Sequence, residues 1–246
     1  MKHSVSSSGC DIDFNLAGKL SMGEIGVRNL SAVDITYSSK IVLSLSKNAM
    51  IGFAKSLIRK AKSKESKGTF HLVPIRPGED FTQVLGLIIA HNSVEPLITF
   101  WDVPQLDKTI EILSSEKIAK DISTEYKVGL DKRFERPADF EKQYNNIAKF
   151  QVLDLLGNDI SNICRYVELG LNHVAMIELG TGLIRLAHNF EEGKEVRIIP
   201  SSKENGAQQS MGIFLTPESC ELVIKCENFK PIDTYIDETK SEMDKN

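Results

Sequence analysis

The chain has 246 residues, of which 41% are hydrophobic and 26% are charged, a composition that excludes wholesale disorder. The formal net charge of −4 excludes a bulk attraction to nucleic acid or to anionic membranes. No apolar run approaches the roughly 18 residues that a membrane-spanning helix needs, and no signal peptide is recognisable at the N-terminus. The sequence therefore predicts a cytoplasmic globular protein.

The main feature of the sequence is an internal repeat. When the chain is shifted along itself by 126 positions, residues 43–51 align with 169–177 without a gap. Proline and glycine residues, which are typical of turns, also match at this offset, namely Pro74 with Pro200 and Gly86 with Gly212. A constant offset of this kind indicates a duplicated structural unit. The sequence predicts a first repeat over residues 11–113, a connection over 114–136, a second repeat over 137–237 and a polar tail over 238–246.

In the first repeat, the pattern predicts one helix and four strands. A strand over residues 41–45 is followed by an amphipathic helix, because apolar residues recur there at helical spacing. This apolar stripe consists of Met50, Phe53, Ala54, Leu57, Ile58 and Ala61. Three short strands are predicted next, at Phe70–Ile75, Val84–Ala90 and Leu97–Trp101.

The second repeat shows the same order. A strand with clean alternation is predicted over Val167–Leu171. The stripe of the following helix consists of Met176, Leu179, Gly180, Leu183, Ile184 and Ala187. The last strands are predicted at Val196–Ile199, Met211–Leu215 and Leu222–Cys226. We therefore predict an α+β fold of two tandem β-α-β-β-β repeats, each with one helix packed on a mostly antiparallel sheet.

No constellation in the sequence predicts catalysis. The five histidines are spread along the chain without a nucleophile and a carboxylate in a local signature. Gly180-Thr181-Gly182 lies inside a helical stripe, which favours close packing over a phosphate-binding loop. The cysteines lack the spacing of a metal site, and we expect Cys220 and Cys226 to be buried in a strand. The sequence thus predicts no enzyme, no cofactor and no metal.

Two places in the first repeat are predicted to contact a partner. The turn over residues 76–78 is followed by two acidic residues and a phenylalanine, and the last strand ends at the only tryptophan. Aromatic anchors among charged groups are common at tight protein interfaces. The predicted contact residues are Glu79, Asp80, Phe81, Trp101 and Asp102.

Three other hypotheses stay open. Residues 55–67 hold six basic residues and one acidic residue, whereas the matching residues 181–193 carry a net charge of −1. The basic segment is either a solvated helix face or a nucleic-acid-binding surface, although the overall charge does not favour nucleic acid. An enzyme with a site at the seam between the repeats is the second alternative. Exposed strand edges would also allow a homodimer.

Three stretches resemble a known group of proteins. The strand and helix IVLSLSKNAMIGFAKSLIRKA, the strand GTFHLVPI and the closing strand ESCELVIKC resemble the pattern of immunity proteins from bacterial polymorphic-toxin and contact-dependent inhibition systems. The likeness covers most of each repeat and involves no catalytic residues. It implies a protein that neutralises a cognate toxin by stoichiometric binding in the cytosol. The duplication and the mild charge depart from many members, which are single, shorter and more acidic units, so the class of toxin stays open.

Overall fold

A computed structural model of the chain describes residues 3–5, 11–15, 21–29, 40–63, 68–76, 82–100, 125–129, 146–201 and 208–230. The elements up to residue 100 are β1 (His3–Val5), β2 (Asp11–Asn15), β3 (Met22–Asn29), β4 (Lys40–Leu45), α1 (Lys47–Lys62), β5 (Gly68–His71), β6 (Ile88–Ile89) and β7 (Glu95–Phe100). The elements after residue 100 are β8 (Glu125–Gly129), β9 (Ile147–Leu153), β10 (Cys164–Leu171), α2 (His173–His188), β11 (Glu195–Ile198), β12 (Phe214–Leu215) and β13 (Glu221–Cys226). The predicted α+β class is confirmed.

Both helices begin at a polar capping residue. The Ala49 amide donates to Ser46 Oγ at 3.1 Å, and the Ala175 amide donates to Asn172 Oδ1 at 2.8 Å. Each cap satisfies one of the backbone N–H groups that a helix start leaves without an internal partner. Basic residues occupy the last turn of both helices, where they complement the helix dipole. The predicted apolar stripe of α1 is buried throughout.

Besides β1, β2 and β8, each half has one strand more than the sequence pattern predicted. β3 precedes β4 in the first half, and β9 precedes β10 in the second. The apolar alternation of β3 is interrupted by Gly23 and Gly26, and glycine is depleted in strands, so its local signal is weak. Apart from β1, β2 and β8, the order of elements in each half is therefore β-β-α-β-β-β.

Two predicted strands are shorter than expected because each begins with a tight turn. At Leu85 and Gly86 the φ angles are 53° and 78°, and the Val84 amide donates to the Leu87 carbonyl oxygen at 3.0 Å. Met211 and Gly212 have similar φ angles of 48° and 79°. Positive φ at both central residues is characteristic of a tight two-residue hairpin. Only two residues after each turn therefore remain as strand, in β6 and in β12.

The strands form two five-stranded sheets. The first sheet has the order β12-β3-β10-β7-β5, and the second sheet has the order β11-β13-β4-β9-β6. Both are mixed, since β10 is antiparallel to β3 but parallel to β7, and β4 is antiparallel to β9 but parallel to β13. A separate three-stranded sheet has the order β1-β8-β2.

The prediction that each repeat forms its own mostly antiparallel sheet is wrong. The central strand of the first sheet, β10, lies between β3 and β7, which both belong to the first half of the chain. The central strand of the second sheet, β4, lies between β9 and β13 of the second half. The apolar pattern of a strand indicates which face is buried, but it does not identify the strand's hydrogen-bonding neighbours.

The two five-stranded sheets share one pairing pattern. Tyr166 lies opposite Glu95 in the first sheet, and Lys40 lies opposite Glu221 in the second, so both members of the pair are shifted by 126 residues. Strands β3 and β9 are related by a shift of 125 residues. Ile25 of β3 lies opposite Leu169, and Phe150 of β9 lies opposite Leu43. Positions related by these shifts are called equivalent below.

The two sheets are joined along both edges. After β5 pairs with β7 in the first sheet, the same segment continues to Ile75, whose amide donates to the Ile89 carbonyl oxygen of the second sheet at 2.9 Å. In the other half, β11 pairs with β13 in the second sheet, and the Ser201 amide then donates to the Leu215 carbonyl oxygen of the first sheet at 3.1 Å. One extended segment therefore belongs to both sheets at each edge.

The inner faces of both sheets and both helices form one continuous hydrophobic core. The helices run antiparallel, since His173 Nε2 at the start of α2 lies 2.7 Å from the Ala61 carbonyl oxygen at the end of α1. They cross closely at Gly180, where an added Cβ would lie 2.9 Å from Ile58 Cγ1 and 3.1 Å from the Ala54 carbonyl oxygen. Gly182 likewise leaves room for Met211. The small residues of the Gly180-Thr181-Gly182 stretch therefore serve packing.

Within the described part of the chain, neither helix is long and apolar enough to cross a membrane.

Candidate protein-binding loop

The residues that the sequence analysis predicted to contact a partner lie outside the described residues. Glu79, Asp80 and Phe81 fall in the gap between residues 76 and 82, and Trp101 and Asp102 directly follow the described end of β7. The structure neither places them nor brings them together, and their role stays a prediction.

The groups that could perform chemistry do not converge in the described residues. Among these residues, no three His, Cys, Asp or Glu side chains are placed to hold a metal ion. His71 Nε2 lies 2.9 Å from Glu95 Oε2 on the surface, while His173 lies at the helix crossing. As the sequence analysis expected, Cys220 and Cys226 are buried.

The described basic side chains of residues 55–67 lie in different environments. Lys55 is buried, and Lys60 Nζ lies 5.4 Å from the centre of the Phe70 ring. Arg59 and Lys62 are exposed near the end of α1, where they also complement the helix dipole. The segment therefore does not present one continuous basic face in the described residues.

A loop in the second half, residues 154–163, exposes an unusual amount of apolar surface. Leu155 and Leu156 are 81% and 88% exposed, and Ile163 is 50% exposed. Exposed apolar surface that is grouped in this way often marks a site of interaction with another molecule. Val73, which is 48% exposed on the segment after β5, is a comparable side chain outside this loop.

The tip of this loop is held by Asp154. Its Oδ1 accepts hydrogen bonds from the backbone amides of Leu156 and Asn158 at 2.9 and 2.8 Å, and its Oδ2 accepts from Asn158 Nδ2 at 2.8 Å. These bonds to Asn158 and Leu156 lower the pKa of Asp154 below its ordinary value of 3.8. Gly157 completes the turn with a φ angle of 86°. The two leucines are therefore displayed on an ordered turn.

The base of the loop is anchored to β9. The Ser161 amide donates to Asp159 Oδ1 at 2.9 Å, and Gln151 Nε2 donates to Asp159 Oδ2 at 2.9 Å. The Val152 amide donates to Ser161 Oγ at 3.0 Å. Although desolvation opposes it, this hydrogen bonding lowers the pKa of Asp159. Such anchoring reduces the entropy that ordering the loop on a partner would cost.

The loop leads directly into an irregular start of β10. The pairing with β3 shifts register between Cys164 and Tyr166, as at a β-bulge or a similar irregularity. Arg165 is exposed, and its Cζ lies 5.7 Å from the centre of the Tyr166 ring. Tyrosine and arginine are enriched where protein interfaces carry most of their binding energy. Residues 154–166 thus combine apolar, aromatic and cationic side chains, and we call them the binding loop.

The repeat pattern does not reveal this loop, because the matched residues lie mainly in strands and helices. A local signal was present in Asp154-Leu155-Leu156-Gly157-Asn158, where two leucines stand among residues typical of turns. Turn chemistry predicts a surface position for these leucines, whereas hydrophobicity alone predicts burial. The two indications conflict, and such conflicts often mark functional sites.

No protein-family model matches the chain, and neither a characterised protein nor a solved structure matches it significantly. The function is therefore argued from the site.

Proposed function

We propose that the protein is a non-enzymatic module that binds another protein through the binding loop. The observation that carries this proposal is the paired exposure of Leu155 and Leu156 on a turn held by Asp154. Burying these largely exposed leucines against a partner would stabilise the complex, and a preorganised loop loses little entropy on binding.

The packing between the two halves supports a role without catalysis. The helices cross in close contact through Ala54, Ile58 and Gly180, so little space remains between them at the crossing. Two charged residues of these helices, Lys55 and Glu178, are buried. An active site at the seam would require a polar cleft with converging functional groups. The alternative of an enzyme with a seam site is therefore the weaker one.

We also infer that the chain arose by duplication of a β-β-α-β-β-β unit. The helices are both 16 residues long and start 126 positions apart, and the strand pairing repeats with nearly the same shift. The duplication produces a scaffold in which each sheet needs strands from both halves. The surface loops of the two halves can then diverge while the shared core keeps the fold.

The partner to be tested first is a bacterial toxin domain. The resemblance of the strand and helix patterns to immunity proteins suggests this class, and stoichiometric binding in the cytosol would require only a contact surface. The binding loop supplies such a surface in addition to Glu79, Asp80, Phe81, Trp101 and Asp102, which remain predicted contacts.

The test is the affinity of the full chain for the product of the adjacent upstream gene. We expect a stable complex that the double variant Leu155→Ser/Leu156→Ser weakens by about 100-fold, because each leucine would lose roughly 1.5 kcal/mol of apolar burial. Isothermal titration calorimetry measures the affinity, and co-expression shows whether the chain suppresses the toxicity of that product.

Val73→Ser is the matched control, since it removes a similarly exposed aliphatic side chain outside the binding loop. It should leave the affinity unchanged. A complex that tolerates the loss of both leucines would reject the binding loop as the contact site, and a harmless neighbour that does not bind would reject the toxin as the partner.

A further inference from the structure

Three strands of the second sheet place a serine between two lysines. Ser44 of β4 lies opposite Lys149 of β9 on one side and opposite Lys225 of β13 on the other. Residues that lie opposite each other on paired strands share one face of the sheet. Leu43 and Leu45, which flank the serine in the chain, belong to the core, so all three residues face outward. We call Lys149, Ser44 and Lys225 the basic row.

The hydroxyl of Ser44 is buried without a hydrogen-bond partner. The residue is 1% exposed, and its Oγ makes no hydrogen bond to any described residue. A buried hydroxyl normally has a partner, because losing its hydration without a replacement bond costs free energy. Lysine stems are flexible and commonly cover neighbouring surface while the ammonium group stays near water, so they are able to part around a ligand. A ligand that accepts a hydrogen bond between the two lysines would supply the missing partner.

The lysines of the basic row differ from the other cations of this face. Lys149 and Lys225 are partly buried, and neither forms an ion pair with a described residue. The carboxylate oxygens of Glu221, by contrast, lie 3.5 Å from Lys40 Nζ and 3.8 Å from Arg197 Nε. Two cations of the face therefore have a carboxylate partner in the described structure, and the two cations beside Ser44 do not.

Two further carboxylates near the row limit its positive charge. Glu195 of β11 is exposed and lies opposite Lys225, and Asp159 of the binding loop interacts electrostatically with Lys149. Asp159 also accepts a hydrogen bond from Gln151 Nε2 at 2.9 Å. These neighbours repel an extended polyanion, so the row suits a single small anionic group better than a nucleic acid.

We propose that the basic row binds one phosphate group between Lys149 and Lys225, with Ser44 Oγ donating a hydrogen bond to a phosphate oxygen. Neighbouring strands are about 4.8 Å apart, so the two lysine Cα atoms are roughly 10 Å apart, and lysine side chains can converge on one anion over this span. A phosphate group offers several acceptor oxygens and more than one negative charge, which matches two ammonium groups and one hydroxyl. The row lies outside the binding loop, so this inference goes beyond the proposed function.

The equivalent positions of the first sheet do not provide these groups. They are occupied by Glu24, Gly170 and Thr99. Partial burial, followed by repulsion from Glu218 and Glu168, raises the pKa of Glu24 above its ordinary value of 4.5. A face on which carboxylates already repel each other does not attract a phosphate, so the first sheet serves as an internal reference for the test.

The first arm of the test uses inorganic phosphate as the probe. It is titrated into the isotopically labelled full chain at about pH 7, with sodium chloride adjusted to keep the ionic strength constant. We expect saturable amide shift changes at residues 43–45, 148–150 and 224–226, and none at residues 23–25 and 98–100 of the first sheet. Acetate should bind about tenfold more weakly, because it has a single charge and fewer acceptor oxygens. Equal binding of acetate would overturn the assignment of a phosphate.

Charge variants test the two lysines. Lys149→Gln/Lys225→Gln should weaken phosphate binding about tenfold or more, since both cationic partners are lost. Lys149→Arg/Lys225→Arg keeps the charges and should retain the affinity within about threefold. Lys60→Gln/Lys62→Gln is the matched control, because it removes two positive charges from the end of α1. An equal loss in this control would mean that phosphate responds only to the net charge of the chain, which would overturn the site.

The second arm identifies the source of the phosphate group. A phosphoserine peptide of about ten residues is compared with its unphosphorylated form and with inorganic phosphate. An affinity of the phosphopeptide more than about tenfold above that of inorganic phosphate would support a phosphorylated polypeptide as the ligand, whereas equal affinity would support free phosphate. Leu155→Ser/Leu156→Ser should leave the binding of inorganic phosphate unchanged, so a failure of the binding loop and a failure of the basic row are distinguishable.

Ser44→Ala separates ligand binding from a purely structural role. It should weaken phosphate binding about fivefold, because the hydroxyl donor is lost. The melting temperature without phosphate should stay unchanged or rise, because the substitution removes a buried hydroxyl that has no partner. Unchanged phosphate affinity in Ser44→Ala, or the absence of saturable shift changes at the basic row, would overturn this inference.

Discussion

The two five-stranded sheets have the same pairing pattern but differ on their outer faces. The first sheet has half-buried Glu168 at its centre, whereas at the equivalent position the second has Val42, which is buried together with Ser44 and Val223. Their inner faces, by contrast, both belong to the common core. Residues that fill a shared core are constrained by volume, while outward residues are free to change sign. The outer faces therefore differ in charge and burial, while the inner faces keep the common core.

The turns at Gly86 and Gly212, which pack against the helices, also differ between the halves. A Cβ built on Gly52 of α1 would lie 2.6 Å from the Gly86 carbonyl oxygen, so helix and turn touch backbone to backbone. At the equivalent contact in the second half, the buried side chain of Glu178 lies against Gly212. Backbone atoms cannot move aside as a side chain can. Substitution of Gly86 should therefore be tolerated less than substitution of Gly212.

The largest expected effect is that of Gly86→Ala. The new Cβ would overlap the backbone of Gly52, and the φ angle of 78° is unfavourable for alanine, so we expect a loss of about 3 kcal/mol or more in unfolding free energy. Gly212→Ala should cost less, because its Cβ would meet the side chain of Glu178. Urea denaturation of the variants measures both losses.

Gly157→Ala serves as the reference for these substitutions. Its φ angle of 86° is also positive, but no atom lies within 4 Å of the added Cβ. Gly157→Ala should therefore lower the unfolding free energy by only about 1 kcal/mol, which is the cost of the positive φ angle for alanine. Equal losses at positions 86 and 157 would mean that the close approach of turn and helix does not limit stability.

A smaller effect is expected from the carboxylate that orders the binding loop. Asp154→Ala removes the acceptor for the amides of Leu156 and Asn158, so hydrogen exchange at these two amides should accelerate. The affinity for the partner should fall a few-fold because the loop must then be ordered on binding. Asp154→Asn keeps an acceptor oxygen, and it should retain most of the protection.

The pH dependence of the loop follows from the same carboxylate. The pKa of Asp154 is lowered in the folded protein, so its contribution is present above the ordinary value of 3.8 and is lost as the pH falls through the folded pKa. Protection of the Leu156 and Asn158 amides should therefore decline only in strongly acidic solution. A decline near neutral pH would show that Asp154 does not control the turn.

The smallest effect is the stability change caused by Glu24→Gln. Because the folded protein raises the pKa of Glu24, its ionisation destabilises the fold, and stability is lost as the pH rises from the ordinary value of 4.5 through the folded pKa. Glu24→Gln should raise the melting temperature by less than about 2 °C at pH 7 and leave it unchanged at about pH 3. Calorimetry at the two pH values measures the melting temperatures of the variant and the parent protein. A lower melting temperature for Glu24→Gln at pH 7 would contradict the predicted increase.

Much of the secondary structure could be predicted because its signals are local. Ser46 and Asn172 cap their helices, and the apolar stripe of α1 has helical spacing, so both features follow from neighbouring residues. The turn residues around Leu155 and Leu156 are likewise a local signal, whereas the apolar character of the two leucines predicts burial. Glu79, Asp80, Phe81, Trp101 and Asp102 remain predictions, because the structure does not describe them.

By itself, the sequence determined the α+β class and the two amphipathic helices, because these depend on composition and short-range periodicity. Only the tertiary structure decided that β4 and β10 each lie between strands of the other half. The apolar pattern of a strand indicates its buried face but not the strands that it pairs with. The tertiary structure also decided which charges share a face, because Glu24, Glu95 and Glu168 are far apart in the chain and meet only through strand pairing.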